Sequence, residues 1–174
     1  VGKAVDVTNK AADKASSFVK EKEIDKKAMK AAKTAEKGIK SINPSCHTSV
    51  IPIADGGEGL LDVLIRATKG KYITLSAHGP LMKMAKTHYG LSGNGRTAII
   101  EMAAISGLPL VPIEQRNPML TTTFGTGELI KDALNKGCRN FIIGIGGSAT
   151  NDAGLGMLQA LGFRFLDKSG HTLG

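Results

Sequence analysis

The sequence predicts an α/β fold, in which short apolar strands alternate with helices. Three observations support this prediction. Hydrophobic residues make up 41% of the 174 residues and 22 are glycine, which is typical of a globular chain with many tight turns. Apolar runs of strand length are followed by segments in which Leu, Ile or Ala recur at helical spacing. The junctions between these two kinds of segment are rich in Gly, Ser, Thr, Asn and Asp.

The first third of the chain predicts two helices and one strand. A helix over residues 25–39 carries a narrow stripe of alanines and ends at Gly38 and Asn43-Pro44. The residues before it, 1 to about 20, have helical propensity without a stripe and are expected to form a mobile arm. An apolar strand over 50–54 then leads through the glycine-rich segment 55–59 into a helix that ends near Gly70.

The middle of the chain predicts a run of antiparallel strands. Apolar β-like segments cover residues 72–76, 86–91 and 97–102, with turns at 78–80 and 92–95 between them. This change of pattern places a domain boundary near residue 76. A threonine-rich segment, 121–128, then leads into a helix over 129–136, with Thr126 as a plausible N-cap and Gly137 placed to end the helix in the left-handed conformation.

The junction over residues 141–161 is the most informative part of the chain. Phe141 to Ile145 predicts a buried strand, and residues 153–161 predict a helix. Four polar side chains crowd the start of this helix: Ser148, Thr150, Asn151 and Asp152. Unpaired N–H groups and the helix dipole favour an anion there. A carboxylate at such a place is expected to bind Mg²⁺ or to accept a proton from an attacking hydroxyl; the alternative is that Asn151 or Asp152 only caps the helix.

Two upstream junctions have the same strand-to-helix character, and the repetition predicts a shared site. The first contains Asp55, Gly56, Gly57 and Glu58, of which Asp55 is the stronger functional candidate. The second contains Gly125, Thr126 and Gly127, which are expected to form another oxyanion cradle. Glu58 and Glu128 could equally be acidic residues that complement a helix dipole. Arg116 is a candidate for clamping a carboxylate or phosphate, with a surface ion pair as the alternative.

Composition excludes several other classes of function. The net charge is +8, but residues 1–45 hold eleven of the 23 basic residues with six acids interleaved among them, and contain no Arg and one aromatic residue, Phe18. That pattern indicates a solvated helix face and not a nucleic-acid surface. No apolar run is long enough to cross a membrane. Two distant cysteines, Cys46 and Cys138, predict neither a disulfide framework nor a zinc site. The default location is the cytosol or an organelle matrix.

Several motifs in one order resemble the glycerate kinase family. The motifs are IADGGEG at 53–59, EMA at 101–103, RNP at 116–118, TTTFGTGE at 121–128 and GIGGSATND at 144–152. The resemblance implies transfer of the ATP γ-phosphoryl group to D-glycerate with Mg²⁺, giving 2-phosphoglycerate or 3-phosphoglycerate. It also implies two α/β domains, one flavodoxin-like and one inserted into it. We expect residues 1–75 to be part of the first and residues 76–174 to be part of the second.

The predicted roles combine the junction chemistry with this resemblance. Asp152 is the first candidate for catalysis and Asp55 the second, and Asp152 and Glu58 are the candidate ligands of Mg²⁺. The residues expected to hold phosphate or substrate are Gly56, Gly57, Arg116, Gly125, Thr126, Gly127, Gly146, Gly147, Ser148, Thr150 and Asn151. The expected partner is a small molecule, and no nucleic-acid or membrane partner is expected.

Two alternatives remain at the level of sequence. Gly144 to Ala149 fits the glycine pattern of a dinucleotide-binding turn, with Asp167 at the end of a predicted strand over 163–166. A turn over 167–170 follows, and the sequence stops at residue 174. A stop so soon after a turn is expected of a truncated domain. The other alternative is therefore a non-catalytic fragment that keeps only part of the kinase fold.

Overall fold

The computed structural model describes residues 29–173, which divide into two compact units after Pro52. In the first unit, residues 29–42 form helix α1, which confirms the described part of the predicted helix. Glu36 accepts a hydrogen bond from Thr48 Oγ1 at 2.7 Å and pairs with Lys40 Nζ at 2.8 Å. The predicted mobile arm over residues 1 to about 20 lies outside the described residues.

The described residues of the second unit, 53–173, form four strands and four α-helices. Their bounds are α2 Leu60–Thr68, β1 Lys71–His78, β2 Met84–Leu91, β3 Thr97–Glu101, α3 Ala103–Ser106, α4 Phe124–Asn135, β4 Asn140–Gly144 and α5 Leu155–Ala160. Two short 3₁₀ turns, Leu108–Leu110 and Ile113–Gln115, lie between α3 and α4. The mixed α/β fold class predicted from the sequence is confirmed.

The four strands form one sheet in the order β1-β2-β3-β4. The first three are antiparallel, with Lys71 opposite Leu91, as the sequence predicts. The turn between β2 and β3 is tight, with Gly95 N–H donating to Ser92 O at 2.8 Å and Gly95 at φ 69°. Strand β4 then pairs with β3 in parallel, so that Glu101 lies opposite Gly144. The two parallel strands therefore end together, at the edge where the predicted junctions begin.

Helices cover both faces of this sheet. Leu61 and Ile65 of α2 pack against Ile99 on one face. Leu129 and Ala133 of α4 lie in the core on the other face, with the buried residues Ala77, Tyr89, Ala98, Ile100, Ile105, Ile130 and Cys138. Successive side chains of β3 point to opposite faces, and both faces are buried, which explains its unbroken apolar sequence.

Several predicted elements differ from those observed. Residues 50–54 form no strand, because Pro52 has no N–H to donate to a sheet and no described strand pairs with them. Strand β4 is not buried: Ile142 and Ile143 are 42% and 36% exposed, because α2 and α4 lie mainly against the other strands. The predicted strand over 163–166 is reduced to one bridge between Leu166 and Thr172. The turn over 167–170 is confirmed by the bond from Gly170 N–H to Asp167 O.

Two helices also begin at other residues than predicted. Helix α4 starts at Phe124, so Thr126 lies inside it and is not its N-cap; Gly137 does adopt the left-handed conformation after it. Helix α5 has six residues, and Gly154 precedes it with φ 77°. The domain boundary expected near residue 76 falls within β1, inside the compact unit 53–174, and it stays a prediction. No helix within residues 29–173 is long and apolar enough to span a membrane.

Candidate functional site

The first predicted junction, the loop 55–59, is in direct contact with the loop that follows β4. Gly146 N–H donates to Gly56 O at 3.1 Å. A Cβ added at Gly146 would lie 2.7 Å from Gly57 Cα, which is closer than any real side-chain carbon approaches backbone. The loop 55–59 and the loop after β4 therefore meet backbone to backbone, and only glycine permits this approach. The contact lies at the carboxyl ends of β3 and β4.

Glu101 lies at the same edge, and the sequence prediction gave it no role beyond ending a strand. Its Oε1 accepts a 2.6 Å hydrogen bond from the N–H of Leu61, in the first turn of α2. Burial is the main cause that raises the pKa of Glu101; the negative charges of Asp62 and Glu58 add to it, and the N–H groups of Leu61 and Gly59 oppose it. A carboxylate at the end of a buried strand was the signal that could have identified it.

Asp152 joins the starts of two helices. Its Oδ2 accepts bonds from the N–H and the hydroxyl of Thr123, both at 2.8 Å, and from Gly156 N–H at 3.2 Å. Its Oδ1 accepts one bond, from Gly154 N–H at 3.0 Å. Burial by itself would raise the pKa of Asp152, but the hydrogen bonds from Thr123, Gly154 and Gly156 outweigh it and lower the pKa. The carboxylate is therefore held ionised between the N-termini of α4 and α5.

The N-terminus of α5 is not open to an anion. Asp152 accepts the N–H bonds of Gly154 and Gly156, and Thr123 Oγ1 accepts the N–H bond of Met157 at 2.9 Å. Because these protein groups satisfy the first turn, the anion site expected from the strand-to-helix pattern alone is not present at this helix. The capping interpretation of Asp152 describes the observed contacts.

The polar residues between Gly147 and Asp152 are tied to neighbouring loops. Ser148 Oγ donates to Thr150 O at 3.2 Å, and Thr150 Oγ1 donates to Thr121 O at 2.7 Å. Asn151 N–H donates to Pro118 O at 3.1 Å, while its side chain is exposed. The segment is thus fixed in place, and the Asn151 amide remains available to a ligand.

The glycines of the third junction pack inside the fold. A Cβ added at Gly125 or Gly127 would meet a backbone carbonyl oxygen at 1.9 Å or 2.3 Å, respectively. Thr126 is buried, and its hydroxyl lies 2.8 Å from the buried hydroxyl of Ser106. The oxyanion cradle predicted for residues 125–127 is therefore not exposed, because close packing against β1 and α5 requires these glycines.

The remaining candidates are exposed charged side chains. Asp55 Oδ1 accepts a bond from Gly57 N–H at 3.1 Å, and its second oxygen has no hydrogen-bond partner in the described part of the chain. Glu58 lies exposed on the same loop and accepts no hydrogen bond from residues 29–173. Arg116 Nε donates to Val111 O at 3.2 Å. No group of three or more His, Cys, Asp or Glu side chains that could hold a metal gathers within the described residues.

Taken together, the contacts define an α/β protein with its polar and glycine-rich loops at the carboxyl ends of parallel strands. Open α/β sheets bind ligands at this edge. The comparison with protein families then identifies the chain: the model of the glycerate kinase family matches residues 25–174, and the chain belongs to that family. The resemblance noted in the sequence is confirmed.

Individual relatives agree with this assignment. The chain is 54% identical over 147 residues to a glycerate kinase of Bacillus subtilis and 50% identical to the glycerate 2-kinase of Escherichia coli. These matches cover 84% of the chain and 38% or 39% of the relatives. A Salmonella typhimurium LT2 crystal structure, provisionally assigned as glycerate kinase 2, has a TM-score of 0.73 at 49% identity and covers 84% of the chain. The chain spans about two fifths of that protein's length.

The dinucleotide alternative finds no support in the fold. It requires a strand that ends at Asp167, and residues 163–166 form no strand beyond the single bridge at Leu166. Asp167 instead closes an exposed turn, where its Oδ1 accepts bonds from the N–H groups of Ser169 and His171 at 2.8 and 2.9 Å.

Proposed function

We propose that the protein carrying this chain phosphorylates D-glycerate with the γ-phosphoryl group of ATP. Family membership and the names of the relatives support this reaction class. The name of the Escherichia coli relative, glycerate 2-kinase, favours phosphorylation of the 2-hydroxyl. The reaction belongs in the cytoplasm, where ATP is supplied. Because the chain covers less than half of its relatives, its own activity is part of the proposal.

The observation that carries the proposal is the contact between the loops 55–59 and 144–147. It brings Asp55 to the carboxyl end of the parallel strand pair, near the turn that leads to Ser148. Phosphoryl transfer needs few covalent contributions from the protein and depends on positioning and on charge, so a rigid, glycine-lined edge with polar side chains suits it.

Asp55 is the residue we assign to the hydroxyl of glycerate. One of its oxygens is held by Gly57 N–H, and the other can accept the proton of the attacking hydroxyl. Within residues 29–173 the Arg116 guanidinium is bonded only through Nε, to Val111 O, so its terminal nitrogens can pair with a carboxylate. The hydroxyls and amide of Ser148, Thr150 and Asn151, with the backbone of Gly146 and Gly147, form the remaining proposed contacts to substrate oxygens.

Asp152 acts in this proposal as a positioning residue. Its bonds to Thr123, Gly154 and Gly156 hold the starts of α4 and α5 together, and Oδ2 has no capacity left for a ligand. Mg²⁺ commonly takes one or two carboxylates and completes its shell with phosphate oxygens and water. Asp55 and Glu58 are the carboxylates of this edge that could hold it, and bound Mg²⁺ would neutralise phosphate charge.

The test is ADP release from Mg-ATP that depends on D-glycerate, followed by a coupled assay. It is made with the 174-residue chain and with the longest open reading frame that contains it. The position of the phosphate is read from the ³¹P spectrum of the product. Absence of glycerate-dependent ADP release from both proteins would refute the proposed function. Activity of the longer protein alone would support the fragment alternative for this chain.

A matched pair of variants tests the role of Asp55. Asp55→Asn keeps the shape and the bond from Gly57 N–H but removes the proton acceptor, so kcat should fall by about 10²- to 10⁴-fold. Glu114→Gln makes the same chemical change in the exposed 3₁₀ turn and should leave kcat unchanged. Equal activity of the two variants would remove Asp55 from the mechanism.

A further inference from the structure

A cavity of about 450 Å³ lies beside the start of α4 and the end of α5, and no residue of the loop 55–59 lines it. Its volume is within the range of small-molecule sites, which is roughly 300–1,000 Å³. Three phenylalanines and a methionine form its apolar wall: Phe124, Phe163, Phe165 and Met82. Thr122, Gln159 and Arg164 supply polar groups, so apolar surface surrounds a few donors and acceptors.

We propose that this cavity holds the purine base of the phosphoryl donor. The inference rests on the proposed kinase function, which requires an adenine nucleotide. Phenylalanine rings stack on nucleobases through their flat apolar faces. D-glycerate has no apolar surface that could match three phenylalanines, so the wall selects the donor and not the acceptor. Phe163 is 60% exposed, which leaves its ring accessible to a base.

The polar lining also fits an adenine nucleotide. A glutamine amide can donate to and accept from the edge of adenine at the same time. Gln159 Nε2 donates to Leu173 O at 3.3 Å, and its Oε1 accepts no hydrogen bond from the described residues. Arg164 has neither an ion pair nor a hydrogen bond within residues 29–173, although it lines the cavity. The phosphate groups that the ribose of the nucleotide carries could pair with this guanidinium.

The cavity borders the Asp152 contacts that join the two helices. Thr122 lines the cavity, and its hydroxyl lies 3.4 Å from Asp152 Oδ2. Met82, another lining residue, has φ 55° because it lies in the tight turn between β1 and β2, where its N–H donates to Gly79 O at 3.0 Å. A base bound here would be held next to the segment 146–152, which leads back to the edge with Asp55.

The test measures binding of mant-ADP to the 174-residue chain by fluorescence anisotropy, without glycerate. Phe163→Ala should weaken binding about tenfold, the loss expected when one stacking ring is removed. Arg164→Gln should weaken ADP binding while leaving the weaker binding of adenosine unchanged, since adenosine has no phosphate. Ile113→Ala and Arg96→Gln are the matched controls, because both residues are exposed and lie outside the cavity.

Circular dichroism and thermal unfolding establish that each variant is folded before its binding is compared. Equal affinity of Phe163→Ala, Arg164→Gln and the two control variants for mant-ADP would overturn the proposal. So would failure of the unmodified chain to bind mant-ADP. The longer protein could release ADP in the presence of glycerate while its Phe163→Ala variant bound mant-ADP with unchanged affinity. That pair of results would support the kinase function but place the base elsewhere, so the two proposals can fail separately.

Discussion

Replacement of Asp152 by Asn tests the most connected polar contact of the structure. The amide has the shape of the carboxylate, but only one of its two terminal atoms can accept hydrogen bonds. If the amide oxygen keeps the Oδ2 position, it retains the bonds from Thr123 and Gly156, while the NH₂ group faces the N–H of Gly154. Asp152→Asn therefore removes one acceptor and one negative charge.

The size of the effect follows from these contacts. Loss of the acceptor for Gly154 N–H leaves a partly buried donor unpaired, at a cost of about 1–3 kcal/mol. Loss of the charge between the N-termini of α4 and α5 costs about 0.3–1 kcal/mol for each helix. Because Asp152 is partly exposed, solvent reduces both the cost of the unpaired N–H and the cost of the lost charge. We expect the free energy of unfolding to fall by about 2–3 kcal/mol.

The pH dependence gives a second signature. Since folding lowers the pKa of Asp152, the contribution of this carboxylate is fully present above its unfolded pKa and is lost as the pH falls through the folded pKa. The difference in stability between the unmodified chain and Asp152→Asn should therefore be constant above about pH 4 and should shrink in more acidic solution.

Urea denaturation of both proteins, followed by circular dichroism between pH 3 and 7, measures these quantities. Glu114→Gln is the control, because Glu114 lies in an exposed turn and should change the midpoint little. If Asp152→Asn unfolded at the same urea concentration as the control, the joining of α4 and α5 by this carboxylate would not contribute to stability. A difference that grew in acid would contradict the direction of the pKa change.

Three further changes test the surrounding contacts by the same denaturation assay. Gly146→Ala should cost about 1–3 kcal/mol, because its Cβ would lie 2.7 Å from Gly57 backbone, whereas Gly38→Ala, with nothing within 4 Å, should be neutral or stabilising. Ser106→Ala should lower the free energy of unfolding by about 1–3 kcal/mol, because it leaves the buried Thr126 hydroxyl unpaired. Adding Thr126→Val should recover part of that loss. If the effects of the two substitutions were strictly additive, the pairing of the two hydroxyls would be contradicted. Burial raises the pKa of Glu101, so stability should decline as the pH rises from about 4.3 through its folded pKa, and Glu101→Gln should abolish that decline.

Sequence patterns predicted the elements that depend on neighbouring residues. The alternation of apolar residues and the Ser92 to Gly95 turn identified β1 to β3, and the left-handed Gly137 identified the end of α4. The family was also recognisable, because several motifs occur in one order. These signals are local in the chain, so no knowledge of the packing was needed.

The contacts that the sequence could not predict join residues that are distant in the chain. The sequence cannot tell whether a glycine after a strand faces a ligand or another backbone, and Gly125 and Gly127 proved to face carbonyl oxygens. Asp152 was expected to face substrate because the partner of its carboxylate, Thr123, lies in a different motif. The repeated junctions predicted a shared site but not the contact of Gly146 with Gly57. The geometry of that contact depends on the parallel pairing of β3 with β4, which the sequence did not predict.

That parallel pairing has a consequence for folding kinetics. The hairpin of β1 and β2 closes over a short turn, and such hairpins form in about 1–10 μs. Thr97 of β3 meets Asn140 of β4 only after the intervening helices have brought the chain back, which is slower because a long loop must close first. In pulse-labelled hydrogen exchange, the amides of β4 should become protected after those of β1, and the edge where β3 and β4 end should therefore mature later than the hairpin during refolding.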